Sequence, residues 1–370
     1  MDKLTELQKW LAERGLDLAY LASPVTINFL THYTTDPAER VFALVVFKAG
    51  QDSFIFCPAL NEEEVRRSAW PGEVVTYVDG EDPWSVLEQA VKSRSQAWRK
   101  WALEAGSLPL SHYWHLQAHF AGADLTADLS SLIARMRLKK GPEEVAKMRA
   151  AGAEADFAFQ VAFDALRLGA SERDLAAEIE YQLKVKRGVL QQSFPTIVQA
   201  GKNAANASLV PTTEPIAPGN LVIFDLGTMH DGYASDATRT VAFGQVSQEA
   251  ERIYQVVQEA QAQARRAAMP GMTAGELDAV ARDVIERAGY GQYFIHRLGH
   301  GIGMQVHEFP SLAPGSEAVL EAGMCFSIEP GIYVPGVTGV RIEDCGVLTS
   351  HGFEPFTHTS RDLRVIPVRK

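Results

Sequence analysis

Apolar residues recur along this chain with two different periods. Over residues 4–14 they fall at helical spacing and predict an amphipathic helix. Residues 18–22, 42–47, 53–56 and 74–78 are short apolar runs rich in β-branched and aromatic side chains, and they predict strands. Residues 82–93 predict another helix, with Asp82 as N-cap and Pro83 at the first helical position, where its missing N–H costs nothing. Helices interleaved with strands in this way predict an α/β domain around a mixed sheet.

The pattern changes after a connecting segment at residues 124–140. Gly141-Pro-Glu-Glu144 opens a long helix, because Pro suits its first position and acids suit its positive N-terminal end. Val145, Met148, Gly152, Ala155, Phe159, Phe163 and Leu166 then line one face of it. Further helices are predicted over 171–187, 248–268 and 273–288. Residues 221–226 predict a strand and 234–243 its hairpin partner, with His230-Asp-Gly232 as the turn. The expected division is into residues 1–127 and 128–370, an α/β (α+β) protein of two domains.

The second part repeats itself. Leu168-Gly-Ala-Ser-Glu-Arg-Asp-Leu175 resembles Pro270-Gly-Met-Thr-Ala-Gly-Glu-Leu277, and each opens a helix with Ser or Thr at the N-cap. Gly219-Asn-Leu-Val-Ile-Phe-Asp-Leu-Gly227 resembles Gly323-Met-Cys-Phe-Ser-Ile-Glu-Pro-Gly331, which aligns Asp225 with Glu329. Gly232-Tyr-Ala-Ser-Asp236 resembles Gly339-Val-Arg-Ile-Glu343, which aligns Asp236 with Glu343. Two halves related by a pseudo-twofold axis would bring four carboxylates to one central place.

Composition narrows the function. The 370 residues are 46% hydrophobic and 22% charged, enough apolar surface for sizeable cores. A net charge of −11 disfavours nucleic acid and anionic membranes as partners. The longest apolar run, residues 41–47, falls far short of a membrane span. The first residues lack signal-peptide character, and three cysteines make no disulfide framework, so a cytoplasmic location is expected.

The acids carry the chemistry. Asp225, Asp236, Glu329 and Glu343, together with His300 in Gly299-His-Gly-Ile-Gly303, offer four oxygen donors and one nitrogen. Carboxylates gathered in an apolar setting repel one another, and bound cations resolve that conflict. The set suits two divalent ions of hard or borderline character, and without a thiolate it does not suit a structural zinc site. Two such ions would acidify a shared water and polarise a carbonyl, so hydrolysis is the expected reaction. His296 and His307 flank His300, and Arg341 shares a strand face with Glu343, where it can orient a ligand or the substrate. The His112, His115 and His119 face has no repeated acids beside it and reads as ordinary helix surface.

These residues resemble a known family. The second part, over about residues 138–366, is similar to the creatinase and methionine aminopeptidase "pita-bread" fold, and the whole chain looks like the Xaa-Pro peptidases, prolidase and aminopeptidase P. The resemblance implies an N-terminal creatinase-like α/β domain and a C-terminal pseudo-twofold catalytic domain. It implies that Asp225 binds one ion, His300 and Glu329 the other, and that Asp236 and Glu343 bridge both. Glu329 would also move a proton from the bridging water or hydroxide towards the leaving prolyl nitrogen. His296 and His307 would bind substrate and stabilise the intermediate, and Arg341 would orient the substrate. Manganese is the first expectation for the metal, with cobalt, zinc or iron as alternatives; an Xaa-Pro peptide is the expected substrate and a homodimer the expected assembly. One departure stands out: in Asn203-Ala-Ala-Asn-Ala-Ser208, Ser208 takes the place of a family histidine.

A dipeptidase needs a cation for the substrate's free carboxylate, and Arg40, in a loop before a buried strand, is the expected candidate. The short chain favours a dipeptidase over an aminopeptidase P acting on longer peptides. A metal-free amidinohydrolase or a noncatalytic binding protein on the same fold would be expected to lack the ligand acids that are intact here.

Overall fold

The computed structural model describes residues 3–34, 36–48, 53–206 and 210–369. The chain forms two compact units, Met1–Met136 and Arg137–Lys370.

The first unit holds α1 (Lys3–Glu13), β1 (Leu18–Leu21), α2 (Pro24–Thr31), β2 (Ala43–Phe47), β3 (Phe54–Pro58), α3 (Glu62–Arg67), β4 (Glu73–Tyr77), α4 (Pro83–Arg94), β5 (Lys100–Leu103), α5 (Leu110–His119) and β6 (Asp124–Asp128), and α6 (Ser130–Leu138) begins in it. Its six strands form one sheet in the order β4-β3-β2-β1-β5-β6, antiparallel at β1–β2 and β2–β3 and parallel elsewhere. The mixed sheet expected from the sequence is thus present. Asp82 caps α4 through the amides of Trp84 and Ser85. The central strands are buried along their whole length, which is why they read as continuous apolar runs.

The second unit opens with α7 (Pro142–Ala165) and α8 (Glu172–Arg187), then β7 (Ile197–Ala200), β8 (Leu221–Leu226), β9 (Met229–His230), β10 (Tyr233–Ala234) and β11 (Ala237–Phe243). α9 (Gln248–Ala267) and α10 (Ala274–Arg287) follow, then β12 (Gly299–Gly301), β13 (Glu308–Leu312), β14 (Cys325–Ile328), β15 (Gly331–Val334), β16 (Thr338–Arg341), β17 (Asp344–Thr349), β18 (Gly352–Pro355) and β19 (Val365–Ile366). Ser171 and Thr273 cap α8 and α10 with reciprocal capping boxes, so the repeated helix openings are real. β8 pairs with β11 in a four-stranded sheet ordered β19-β11-β8-β7, and β14 pairs with β17 in a five-stranded sheet ordered β13-β12-β14-β17-β18. The repeated acids therefore sit on or directly beside corresponding antiparallel pairs. No helix among the described residues is long and apolar enough to cross a membrane.

One detail differs from the expected hairpin. The partner of β8 is broken at Ser235 and Asp236: β9 and β10 form a tight hairpin of their own through Asp231 and Gly232, both at positive φ, and pairing resumes at Ala237. Asp225 is opposite Thr238 in register, and Asp236 lies in the break. Leaving the ladder frees Asp236 to turn its carboxyl away from the sheet plane.

Candidate metal centre

Strand ends, more than strand interiors, deliver the acids. Asp225 lies near the end of β8, Asp236 just before β11, Glu329 just after β14 and Glu343 just before β17, while His300 is the central residue of β12. Asp225, Asp236, His300 and Glu343 are all buried. Ligand atoms of Asp236, His300 and Glu343 lie within 4.8 Å of one another. His300 Nε2 is 3.6 Å from Asp236 Oδ2 and 3.1 Å from Glu329 Oε1. Close packing makes this possible: a Cβ on Gly299 would lie 2.0 Å from the Ser327 carbonyl oxygen, and one on Gly301 2.2 Å from that of Phe309. Only glycines let β12 approach its neighbours so closely.

His300, Glu329, Glu343 and Asp225 are each oriented by a neighbour. His300 Nδ1 is 3.1 Å from the Gly301 carbonyl, which only accepts, so Nδ1 carries its hydrogen and Nε2 faces the acids. Ser327 Oγ donates to Glu329 Oε1 at 2.9 Å and accepts the His300 amide at 2.9 Å. Thr238 Oγ1 donates to Glu343 Oε2 at 2.6 Å. Arg341 spreads its guanidinium over Asp225 Oδ2 (2.5 Å), the Tyr333 hydroxyl (2.7 Å) and Thr238 Oγ1 (3.0 Å). The Tyr333 hydroxyl in turn is 3.0 Å from His296 Nε2, and His296 Nδ1 donates to the Arg297 carbonyl at 2.7 Å. The His307 ring meets that of His300 edge-on at 4.3 Å, and its nitrogens have no hydrogen-bond partner among the described residues.

The electrostatics are those of a site that wants cations. Burial pushes the Asp225 carboxyl up, Arg341 opposing it. Burial and the charges of Glu343, Asp225 and Glu329 push Asp236 well up, and burial with Glu329 and Asp225 does the same to Glu343. Burial opposes ionisation of Glu329 too, but the hydrogen bond and charge of His300 hold it at about 2. His296 and His307 are driven down, by burial first. Asp225 Oδ1 and Glu343 Oε1 are buried without any hydrogen-bond partner among the described residues. Unpaired carboxylate oxygens beside a mutually repelling cluster fit divalent metal ions, and an oxygen-rich set with one imidazole fits hard to borderline ions.

A second charged cluster backs the first. Arg239, fully buried on β11, donates to the carbonyls of Glu343 (2.5 Å) and Thr238 (2.9 Å) and to Asp344 Oδ1 (2.8 Å). Asp344 also accepts from Gln261, Thr357 and Arg361. On the His307 side, Glu308 is paired with Arg137 and Lys140.

All five expected ligands are thus brought together, with His296, His307 and Arg341 around them. Arg40 lies in the first unit, where it forms two hydrogen bonds to Asp79 (3.2 and 3.0 Å) beside Glu39. Ser208 lies outside the described residues. The histidines of α5 are less plain than a solvated face: His115 stacks on Trp84 and His112 hydrogen-bonds Tyr20. Tyr333, Thr238 and Arg297 escaped the reading of the sequence, which placed Ser327 on the strand face of Glu329 without giving it a role. Thr238 and Ser327 each lie two residues from a candidate acid, and that spacing was their signal. Tyr333 had none.

The profile of metallopeptidase family M24 matches residues 146–350, and that of the creatinase/prolidase N-terminal domain matches residues 3–139. The chain is 58% identical to an Xaa-Pro dipeptidase of Lactobacillus delbrueckii subsp. lactis, over 99% of this chain and 100% of that one. It is 57% identical to an Xaa-Pro dipeptidase of Lactobacillus helveticus, over 99% of both. The crystal structure of a prolidase from Thermococcus sibiricus superposes with a TM-score of 0.91 at 34% identity, covering 98% of each chain.

Proposed function

The chain belongs to metallopeptidase family M24, with a creatinase/prolidase N-terminal domain, and from that premise we propose that it is a divalent-metal-dependent Xaa-Pro dipeptidase. The observation that carries the reading is the cluster of Asp236, Glu329 and Glu343 around His300, with Asp225 close enough for its charge to act on Asp236, and with an oxygen each of Asp225 and Glu343 buried and unpaired among the described residues. Asp225 would hold one ion, His300 and Glu329 the other, and Asp236 and Glu343 both; two manganese ions per chain are the native complement in this reading. When bound, the pair would acidify a water and polarise the scissile carbonyl. Xaa-Pro bonds as substrate follow the two dipeptidase relatives. A cytoplasmic homodimer completes the proposal; the three buried free thiols accord with a reducing compartment.

The protein's own groups take the remaining work. Glu329, ionised at neutral pH, is placed to accept a proton and return it to the prolyl nitrogen as the bond breaks. His307 is neutral and unengaged, so its N–H can meet the substrate carbonyl as charge grows there. His296 is held by Tyr333, which is itself held by Arg341. Replacing Tyr333 with Phe should therefore lower kcat about tenfold, the worth of one hydrogen bond to a charged group, at unchanged metal content. An unchanged kcat would take Tyr333 out of the mechanism.

The direct test is to strip the protein of metal, reload it with manganese, cobalt, zinc or iron, and follow proline release from Leu-Pro beside turnover of Leu-Pro-Ala. Two ions per chain and preference for the dipeptide are expected. Less than one ion per chain with no proline released would sink the reading, and preference for the longer peptide would move it to an aminopeptidase P.

A further inference from the structure

A dipeptide ends in a free carboxylate, and none of the groups assigned so far is left to meet it. The inference below rests on the dipeptidase reading. The centre is lined by acids, so an entering anion needs a cation not already engaged. Arg341 is fully used by Asp225, Tyr333 and Thr238. Arg282 is used by Asp278 and by the carbonyls of Phe294 and His296.

Arg297 is different. It is half-buried, yet it forms no ion pair with any described residue, and its one side-chain hydrogen bond runs from Nη1 to Ser311 Oγ at 3.1 Å. Among the described arginines of this unit, the others without a carboxylate partner (Arg167, Arg173, Arg252, Arg287, Arg364 and Arg369) are all exposed. A guanidinium shielded from water without a counter-charge is costly, and an arriving carboxylate offsets that cost.

Its placement is equally specific. Ser311 is the register partner of His300 across β12 and β13, so its side chain shares the face of the sheet that His300 uses. Arg297, bonded to it, lies over that face, and its charge is felt by His307. The backbone carrying Arg297 is pinned on both sides: the Leu298 amide donates to Asp278 Oδ1 at 2.9 Å, and Arg282 donates to the His296 carbonyl at 3.0 Å. A fixed backbone and a Ser311 tether leave Nε and Nη2 as a pre-set fork.

We propose that Arg297 receives the substrate's carboxylate as a two-point partner and is the residue that makes the enzyme prefer dipeptides. The carboxylate is the free one at the end of the dipeptide; an acidic side chain on the first residue offers the same chemistry, and the test separates the two. Arg40, by contrast, already has its charge met by Asp79.

The test measures the metal-reloaded wild type and the Arg297→Ala, Arg297→Lys and Arg40→Ala variants on Leu-Pro, Leu-Pro amide and Glu-Pro, with metal content by elemental analysis. Arg297→Ala should raise KM for Leu-Pro and Glu-Pro by roughly 10–100-fold, the worth of a charged two-point hydrogen bond. Its kcat, its metal content and its turnover of Leu-Pro amide should stay near wild type, and Arg297→Lys should restore part of the loss. Loss on Glu-Pro alone would keep Arg297 as the carboxylate partner but overturn its role at the dipeptide's end. Equal loss on Leu-Pro and its amide, or loss in Arg40→Ala with none in Arg297→Ala, would overturn the proposal while leaving the dipeptidase reading intact. No turnover in the wild type would overturn both.

Discussion

Replacing Asp236 with Asn will cost roughly 10³-fold in dipeptide hydrolysis, about 4 kcal/mol of transition-state stabilisation, and will at the same time make the metal-free protein melt higher. The two effects share one cause. Asp236 is buried in the break before β11 and faces the charges of Glu343, Asp225 and Glu329. With cations present that charge holds them; without cations it is repulsion in a water-poor site. Asn keeps the shape and removes the charge, so the metal-free melting temperature should rise by about 3–6 °C, for relief on the order of 1–2 kcal/mol in a unit of this size.

The pH dependence follows from the same directions. Carboxyls whose folded values are raised, as at Asp236 and Glu343, bind protons in the folded state that the unfolded chain has already released. Metal-free stability should therefore fall as pH climbs from about 4 through the raised values. Glu329 works the other way: held at about 2, its contribution is present above the unfolded value and is lost as pH drops through the folded one. Calorimetry of metal-free wild type against pH should show the decline, and Asp236→Asn should flatten it. A variant that binds two ions per chain, or that melts below the metal-free wild type, would refute this account.

How much of this was visible in the sequence depends on where each property resides. Helices α8, α9 and α10 were legible because caps and apolar period agree at each of them, as at Ser171 and Thr273. The five ligands were legible because four of them recur in matched segments, and the two longer segments hold the corresponding strands β8 and β14. The break at Asp236 was not legible, since the same residues read equally well as one unbroken hairpin arm; the Asp231-Gly232 turn falls within the expected one, and the arm is interrupted only beyond β10, at Ser235 and Asp236. Tyr333 and Arg297 were hidden for a different reason. The importance of Tyr333 comes from meeting His296 and Arg341 together, and that of Arg297 from the acid it does not have. Both are facts of packing between segments, which no local pattern records. Arg40 looked available because a loop arginine in a sequence has no visible partner, and folding supplies it with Asp79.

Arg239→Met will show the opposite balance: a large loss of stability with a smaller, metal-rescuable loss of activity. Arg239 is fully buried, and its guanidinium joins Asp344 to the carbonyls of Thr238, Glu343, Thr359 and Ser360. Met fills much of the same space but takes one donor from each of those carbonyls, of which that of Thr238 keeps the Glu343 amide, and it gives Asp344 one cation fewer. Breaking such a buried pair costs about 3–5 kcal/mol, which for a unit of this size lowers the melting temperature by roughly 10 °C. Arg361, Gln261 and Thr357 still hold Asp344, so the fold should survive at 25 °C. The activity effect travels through Glu343. Arg239 holds its carbonyl, and the neighbouring Thr238 hydroxyl aims its carboxylate, so loosening the first disturbs the second. Metal affinity should fall about 10–100-fold, the usual cost of losing a group that orients a ligand. Saturating manganese should then recover most of the turnover in Arg239→Met and none in Asp236→Asn, because one variant loosens a ligand and the other removes it. Melting within about 2 °C of wild type, or turnover that excess metal fails to restore, would show that Arg239 does not act through Glu343 in this way.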